Sequence, residues 1–399
     1  MSDLGLTHQL QPAQSQMPVT WYHDQAQYEL EQRLLFGNAS GALGYVGHEL
    51  MVPNQGDYHA IGWMDDALAL VRNPSGVELV SNVCRHRQAI MLNGRGSLAP
   101  TGGNIVCPVH RWTYDGSGKL LGAPYFGVNP CLDLHKVKTQ RWNGLLFNGA
   151  RDVAADLASL SVQTDLNFDG YVLDRVHLHE CDYNWKTFIE VYLEDYHVEP
   201  FHPGLGKFVT CDDLKWQFAD RYSVQTVGIN NQLARPGSEK YKVWHEQVLK
   251  YRCAHFDNPV PPHGAIWLTL YPNIMIEWYP HVLVVSHLIP RGPQKTTSIV
   301  EFYYPEDIVL FEREFVEAEQ AAYLETCIED DEIALRMDAG RRALMQQGLN
   351  QVGPYQTPLE DGMQHFHEYL RRELSTTSDT GVTASQSGSM NPGTRVNSV

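Results

Sequence analysis

Long apolar runs are missing from this 399-residue chain. None approaches the roughly 20 residues that a membrane-crossing helix needs, so no α-helical span is expected. An excess of basic charge is missing as well. The formal net charge is −17, the wrong sign for a nucleic-acid face, and otherwise a charge that favours solubility. The opening MSDLGLTHQLQPAQSQ has neither a basic end nor an apolar core, so a secretory leader is not expected. Cysteine is sparse: seven, an odd number, scattered along the chain, which fits reduced thiols in a cytoplasm. There is no Gly-x-Gly-x-x-Gly dinucleotide fingerprint and no plant-type four-cysteine cluster motif. There is no internal repeat.

What is present is a globular composition, 43% hydrophobic, with enough chain for two cores. Both ends read as tails: residues 1–17 are polar and Gln-rich, and 376–399 are low-complexity with almost no apolar content. Between them, residues 20–36 begin with Trp21 and Tyr22 and continue as a short helix, AQYELEQRLLFG. The runs YHAIGWM, ALALVRN and VELVSNV then alternate between turn signals, as in an antiparallel meander. After Gly170 the strand pattern YVLDRVHLHE leads into a helix. A polar region spans about 203–262. Four alternating runs follow, GAIWLTLY, NIMIEWYP, HVLVVSHLIP and TTSIVEFYYP, and then helical segments close the chain. Strands followed by long helices read as α+β.

Two loops of the first region carry a Cys and a His each: Cys84-Arg85-His86 and Cys107-Pro108-Val109-His110. Zinc is one reading, since two Cys and two His bind it well, but structural zinc sites more often pair like with like. One Cys and one His per loop suits a Rieske [2Fe–2S] centre, in which two Cys hold one iron and two His hold the other.

A second constellation lies in NWKTFIEVYLEDYHVEPFH, residues 184–202. Up to about Val198 it reads as an amphipathic helix that stacks Glu190, Glu194 and His197 along one face. His202 would sit about 140° from His197 on an unbroken helix. Pro200 is expected to kink or stop that helix and let the imidazoles meet. Two His plus a carboxylate, with open positions, is the arrangement of non-haem Fe(II) oxygenases. The plainer reading is a pair of surface histidines on a charged helix.

Together these stretches resemble the catalytic α subunits of Rieske non-haem iron oxygenases, from about Trp21 to about Gly348. WYHDQAQYELEQRLLF, GDYHAIG, NVCRHR, CPVHRWTYDGSGKLLGAP and the NWK…E…YLEDYH….H run carry the resemblance. Arg111 departs from it, standing where the family commonly has glycine, and GSLAPTGGN before Ile105 is longer than usual.

The resemblance implies an N-terminal all-β Rieske domain with its leading helix, residues 18–160. It also implies a helix-grip catalytic domain, residues 161–375, in which an antiparallel sheet and helices fold around iron and a substrate pocket. It assigns Cys84, His86, Cys107 and His110 to a [2Fe–2S] cluster, and His197, His202 and Asp330 to a mononuclear Fe(II). Glu329 and Asp331 are the alternatives to Asp330, and a solvated, acidic helix start is the plain reading of that stretch. Asp331 and Glu332 are expected in that plain role, and Asp195 is expected to be solvated. Glu194 falls where the family has a carboxylate bridging the two metal centres between subunits. Glu rather than Asp there is typical of choline, glycine-betaine and carnitine oxygenases.

The expected activity is that of a terminal oxygenase, mono- or dioxygenase. It would take electrons from NAD(P)H through a separate flavin/iron–sulfur reductase, with or without a ferredoxin. With O2 it would hydroxylate a small organic substrate, a quaternary or N-methylated amine being favoured slightly over an aromatic acid. A homotrimer, or a multiple of one, in the cytoplasm is expected, with no nucleic acid and no membrane. The rival is a Rieske electron carrier without its own oxygenase activity. His177, His179, His281 and His287 are expected to pack, and the aromatics Trp267, Tyr271, Trp278 and Tyr279 to be core first and pocket second.

Overall fold

The computed structural model describes residues 16–36, 42–209, 211, 214–227, 237–255 and 263–375. The expected C-terminal tail, 376–399, lies outside the described residues, as does the N-terminal one up to residue 15. Met17 is already buried, and the Gln16 amide donates to the Gly353 carbonyl at 3.2 Å. Among the described residues no helix is long and apolar enough to cross a membrane.

The first region is all β. The expected meander forms as Asp57–Ala60, Leu68–Asn73 and Gly76–Ser81, neighbours in a five-stranded sheet that Arg95–Ser97 and Lys136–Val137 complete. A three-stranded sheet of Ile105–Val106, Thr113–Tyr114 and Leu120–Gly122 packs beside it. Their shared core, which includes Val71, Val80, Trp112 and Tyr114, encloses the Cys84 and Cys107 side chains. Another three-stranded sheet, of Leu43–His48, Leu145–Gly149 and Gln140–Trp142, faces the second region.

That second region is built on a seven-stranded antiparallel sheet. Its order runs Tyr171–Cys181, Lys295–Pro305, Val282–Gly292, Ile274–Tyr279, Ala265–Leu270, Tyr222–Val227, Lys215–Ala219. The segment expected to be merely polar thus supplies two edge-side strands and the helix Glu239–His255. Its strands were hard to read because charged and amide side chains interrupt the alternation.

Successive strand residues point to opposite faces, and here both faces are covered. Ile274, Ile276 and Trp278 pack with Trp63, Leu145 and Phe147 of the first region. Met275 and Tyr279 pack with Trp185, Trp244 and Phe366 on the helical side. Each large apolar side chain buried this way stabilises by about 1.5–3 kcal/mol.

Three helices set the helical side. Trp185–Tyr192 starts at Asn184, whose side chain accepts from the Lys186 amide and so satisfies one of the orphan donors of a first turn. The same side chain donates to the Tyr22 carbonyl (2.9 Å) and the Pro293 carbonyl (2.8 Å). Arg313–Gln346 runs unbroken for 34 residues, where the sequence suggested a helix opening near residue 328. Asp361–Ser375 closes the layer.

A fully buried ion pair ties these parts together. Lys186 Nζ donates to both Glu31 carboxylate oxygens, at 2.7 and 2.9 Å, and the Trp185 indole N–H donates to the same group at 2.8 Å. Glu31 lies on the short leading helix Gln25–Glu31, so the pair clamps the start of the chain onto the helix that precedes the metal motif. Removing one partner of such a pair leaves an uncompensated buried charge and costs about 3–5 kcal/mol. Lys186→Met is therefore expected to lower the thermal midpoint by several degrees. The double variant Lys186→Met with Glu31→Gln should recover part of that loss, as differential scanning calorimetry would record.

Candidate metal centres and pocket

The two loops of the first region close in the same way. The Gln88 amide donates to the Cys84 carbonyl and the Arg111 amide to the Cys107 carbonyl, each at 3.0 Å. Gln88 and Arg111 both hold positive φ, 53° and 62°, a backbone region that favours glycine. A glycine, which the family resemblance leads one to expect at Arg111, would hold this conformation freely; here arginine bears the strain.

Cys84 and Cys107 are buried and unpaired. His86 is half-buried and His110 exposed, with ring centroids 4.6 Å apart. The Trp112 indole stacks on His86 at 5.1 Å and 4°. The Tyr114 hydroxyl lies 3.7 Å from Cys84 Sγ and accepts from the Arg85 amide at 3.2 Å. His86 Nδ1 is buried without a hydrogen-bond partner, the condition of a ring nitrogen reserved for a ligand. Thiols inside and imidazoles at the rim suit a two-iron cluster and not a closed tetrahedral zinc site.

At the second constellation the helix ends at Tyr192, with Leu193 as its cap, and a short helix restarts at Val198–Phe201. Glu190, Glu194 and His197 therefore do not share one helical face. Pro200 does not make the break either. It falls in the first turn of the short helix, where a missing amide hydrogen costs nothing.

The break turns His197 and His202 toward each other, Nε2 to Nε2, at 3.0 Å. Asp330, from the middle of the long helix, brings Oδ1 to 3.0 Å from His202 Nε2 and 3.4 Å from His197 Nε2. That oxygen is buried without an aligned hydrogen bond. Each imidazole is held from behind: His197 Nδ1–H donates to Glu194 Oε1 at 2.5 Å, and His202 Nδ1–H to Glu329 Oε2 at 2.7 Å. Carboxylates behind ligating imidazoles fix ring orientation and raise basicity. Burial disfavours a charged His197, but the adjacent carboxylates of Asp330 and Glu194 outweigh it and push this imidazole up to about 10. A field that retains a proton there favours a divalent cation between the three groups. The donor set and its mutual approach fit a mononuclear iron with open positions.

The neighbouring acids behave differently from expectation. Asp331 is not a solvated helix-start residue, because the helix begins far upstream. It accepts from His179 Nε2 at 2.6 Å and from the Tyr183 hydroxyl at 2.5 Å. The hydrogen bond to Asp331 pushes His179 up to about 10, a partnership that strand alternation alone could not announce. Asp195 is buried and accepts from Gln225. Burial pushes its carboxyl up to about 7. Glu190 is fully buried, bound by Arg341, His367 and the Tyr22 hydroxyl, and supports the helix without approaching the metal motif. His287 packs against Tyr45 and Trp63, and burial depresses it to about 3.

One pocket opens onto the three converging groups. Its walls include Phe188, Tyr192, Trp267, Tyr279 and Tyr323, with the carboxylates of Glu194, Asp195, Glu277 and Asp330. None of the described residues lining it is lysine or arginine. Trp267 and Tyr279 thus serve both core and wall, whereas Tyr271 is pure core and Trp278 faces the other side of the sheet. Glu277 was missed from sequence. Its one signal is an acid inside an otherwise apolar strand, IMIEWY.

Comparison with known proteins follows the same division. Residues 168–376 match the family described as ring hydroxylating alpha subunit (catalytic domain), and residues 43–135 match the Rieske [2Fe-2S] domain. Putrescine 2-hydroxylase of Ralstonia nicotianae is 62% identical over 94% of this chain and 100% of its own length. The protein of that name from Bordetella bronchiseptica is 57% identical over 95% of this chain and 89% of its own. The solved quaternary ammonium Rieske monooxygenase CntA, in complex with L-carnitine, superposes with a TM-score of 0.67 at 18% identity. That match covers 92% of this chain and 97% of that one, a likeness of fold. A match to the catalytic domain itself is what stands against a bare electron carrier.

Cys84→Ser should bleach the visible cluster absorption while residues 171–375 keep their fold, as circular dichroism would report. Asp330→Ala should lose the mononuclear iron and all turnover with the cluster spectrum intact. Asp331→Ala should keep its iron and lose about 1–3 kcal/mol of stability, because the His179 and Tyr183 donors lose their acceptor. Iron counting and thermal denaturation separate the two.

Proposed function

The chain belongs to the Rieske non-haem iron oxygenases as a catalytic alpha subunit, and from that premise we propose that it hydroxylates a small aliphatic diamine of the putrescine class. The observation that carries this reading is the pocket wall, acidic and aromatic with no lysine or arginine among its described residues. Such a wall attracts cations and repels anions, which disfavours the aromatic acids. Two relatives at 62% and 57% identity are named for putrescine, and they move the reading from a quaternary amine to a primary diamine.

In this reading Cys84, His86, Cys107 and His110 hold the [2Fe–2S] cluster, and His197, His202 and Asp330 hold the iron. When bound, these groups supply one-electron transfer and activation of O2. The chain's own residues do the rest. Glu194 and Glu329 hold the Nδ1 protons of the two imidazoles, so that both Nε2 atoms stay directed at the centre. The aromatic walls exclude water and hold the alkyl chain. The overall balance is that of a monooxygenation: one oxygen atom enters a C–H bond, and the other leaves as water with two protons and two electrons.

Those electrons come from a separate NAD(P)H-dependent reductase, with or without a ferredoxin, since no dinucleotide fingerprint is present. A head-to-tail ring, a homotrimer or a multiple of one, closes without open ends and would set the cluster of one chain beside Glu194 of the next. Exposed apolar side chains at both places, Val109 and Phe126 near the cluster and Tyr196 and Ile328 near the iron motif, support that assembly. We place the chain in the cytoplasm, where its unpaired cysteines would stay reduced, and divide it near 160/161 into Rieske and catalytic domains, with the leading helix packed on the catalytic one.

The test is oxygen uptake by the reconstituted oxygenase with a reductase, with products identified by mass spectrometry. 1,4-Diaminobutane should be converted to a mono-hydroxylated diamine, with one O2 consumed per product. Choline, glycine betaine and benzoate should be poor substrates. Turnover of one of these in preference to the diamine would overturn the assignment.

A further inference from the structure

We infer that Glu277 is the ammonium anchor of the pocket, binding one end of the substrate and setting which carbon faces the iron site. The inference rests on the amine reading above. Glu277 lies on the strand Ile274–Tyr279, on the helical face of the sheet, and is 2% exposed. Its carboxylate accepts from the Tyr279 hydroxyl at 2.7 Å and from the Tyr323 hydroxyl at 2.9 Å. The Trp267 indole N–H donates in turn to the Tyr279 hydroxyl at 2.9 Å. These donors fix the carboxylate against two pocket walls and leave further lone-pair capacity on each oxygen.

Among the described residues no cation neutralises it: the charged groups it interacts with are two other carboxylates, Asp330 and Glu319, and burial pushes Glu277 up to about 7. A buried carboxylate without a counter-ion is costly unless a ligand supplies the charge. The Tyr192 hydroxyl, also in the pocket, is buried with no hydrogen-bond partner. It is a spare acceptor beside an unneutralised acid. A primary ammonium, with three donors and one positive charge, completes both.

Two other buried glutamates sharpen the contrast. Glu301 accepts from the Tyr45 and Tyr303 hydroxyls, and Glu319 from Tyr304. Neither lines the pocket, and both sit fully buried within closed packing. Glu277 has the same kind of tyrosine support and opens onto the substrate space. The aromatic rings of Trp267, Tyr279 and Tyr323 around it add faces on which a cation or its adjacent methylenes rest.

The experiment is Glu277→Gln, which keeps the volume and one acceptor oxygen for the tyrosine hydroxyls and removes the charge. Steady-state oxygen uptake, with product analysis, would be read for 1,4-diaminobutane and 1-aminobutane, and diamine binding by calorimetry. The wild type should prefer the diamine. In Glu277→Gln, kcat/KM for the diamine should fall about tenfold to a hundredfold, mostly through KM, the loss expected of one charged hydrogen bond. The preference over the monoamine should collapse, with iron content and cluster spectrum unchanged.

A wild type that turns over the diamine, together with a Glu277→Gln variant of equal KM, would overturn the anchor and leave the diamine reading standing. A wild type that neither binds nor oxidises aliphatic amines would overturn both. If Glu277→Gln loses iron, Glu277→Asp carries the test. It keeps the charge one methylene further back, so a raised diamine KM with full iron supports the anchor and an unchanged KM removes it.

Discussion

The arrangement depends on one constraint: three polar atoms, His197 Nε2, His202 Nε2 and Asp330 Oδ1, must be held within contact distance in a buried place. Left without a cation between them, such groups carry a desolvation cost that ordinary packing would relieve by separating them. They stay together because each comes from an element fixed elsewhere. The helix carrying Asp330 is 34 residues long and packs along the sheet. The imidazoles flank a short helix wedged between a helix end and the turn at His202. Glu194 and Glu329 grip the imidazoles from behind, so neither ring can turn its Nε2 away.

The helix that delivers this motif is itself braced from the far end of the sequence. Glu31 and Lys186 pair in full burial, and Tyr22, Arg341 and His367 converge on Glu190. Residues near 20–31, 184–190, 341 and 367 thus form one polar skeleton inside an aromatic core. This explains why the leading helix belongs structurally to the catalytic side although the cluster domain follows it in the chain. Buried networks of this kind are costly when broken and specify a single arrangement when complete.

Charge then selects what enters. The carboxylates and aromatic rings of the pocket have no lysine or arginine beside them among the described lining, so this wall presents negative charge and π-faces. The cluster side is organised otherwise, with the Cys84 and Cys107 thiols inside, His86 half-buried and His110 exposed beside the apolar side chains of Val109 and Phe126.

The sequence by itself determined the two metal motifs, their order, the meander that carries the cluster loops and the strand-then-helix pattern of the second region. These are local facts: ligand type, spacing and side-chain period act within a few residues of one another. It also singled out Asp330, but through resemblance, since spacing alone left Glu329 and Asp331 open. Only the tertiary structure distributed those three acids among three jobs. Adjacent positions on a helix point about 100° apart, and what each meets is decided by elements more than a hundred residues away. The same reason hid Asp195, Asp331 and Glu277. Their surroundings depend on Gln225, on His179 and Tyr183, and on Tyr323, partners brought in by the packing of a sheet whose two faces are both covered.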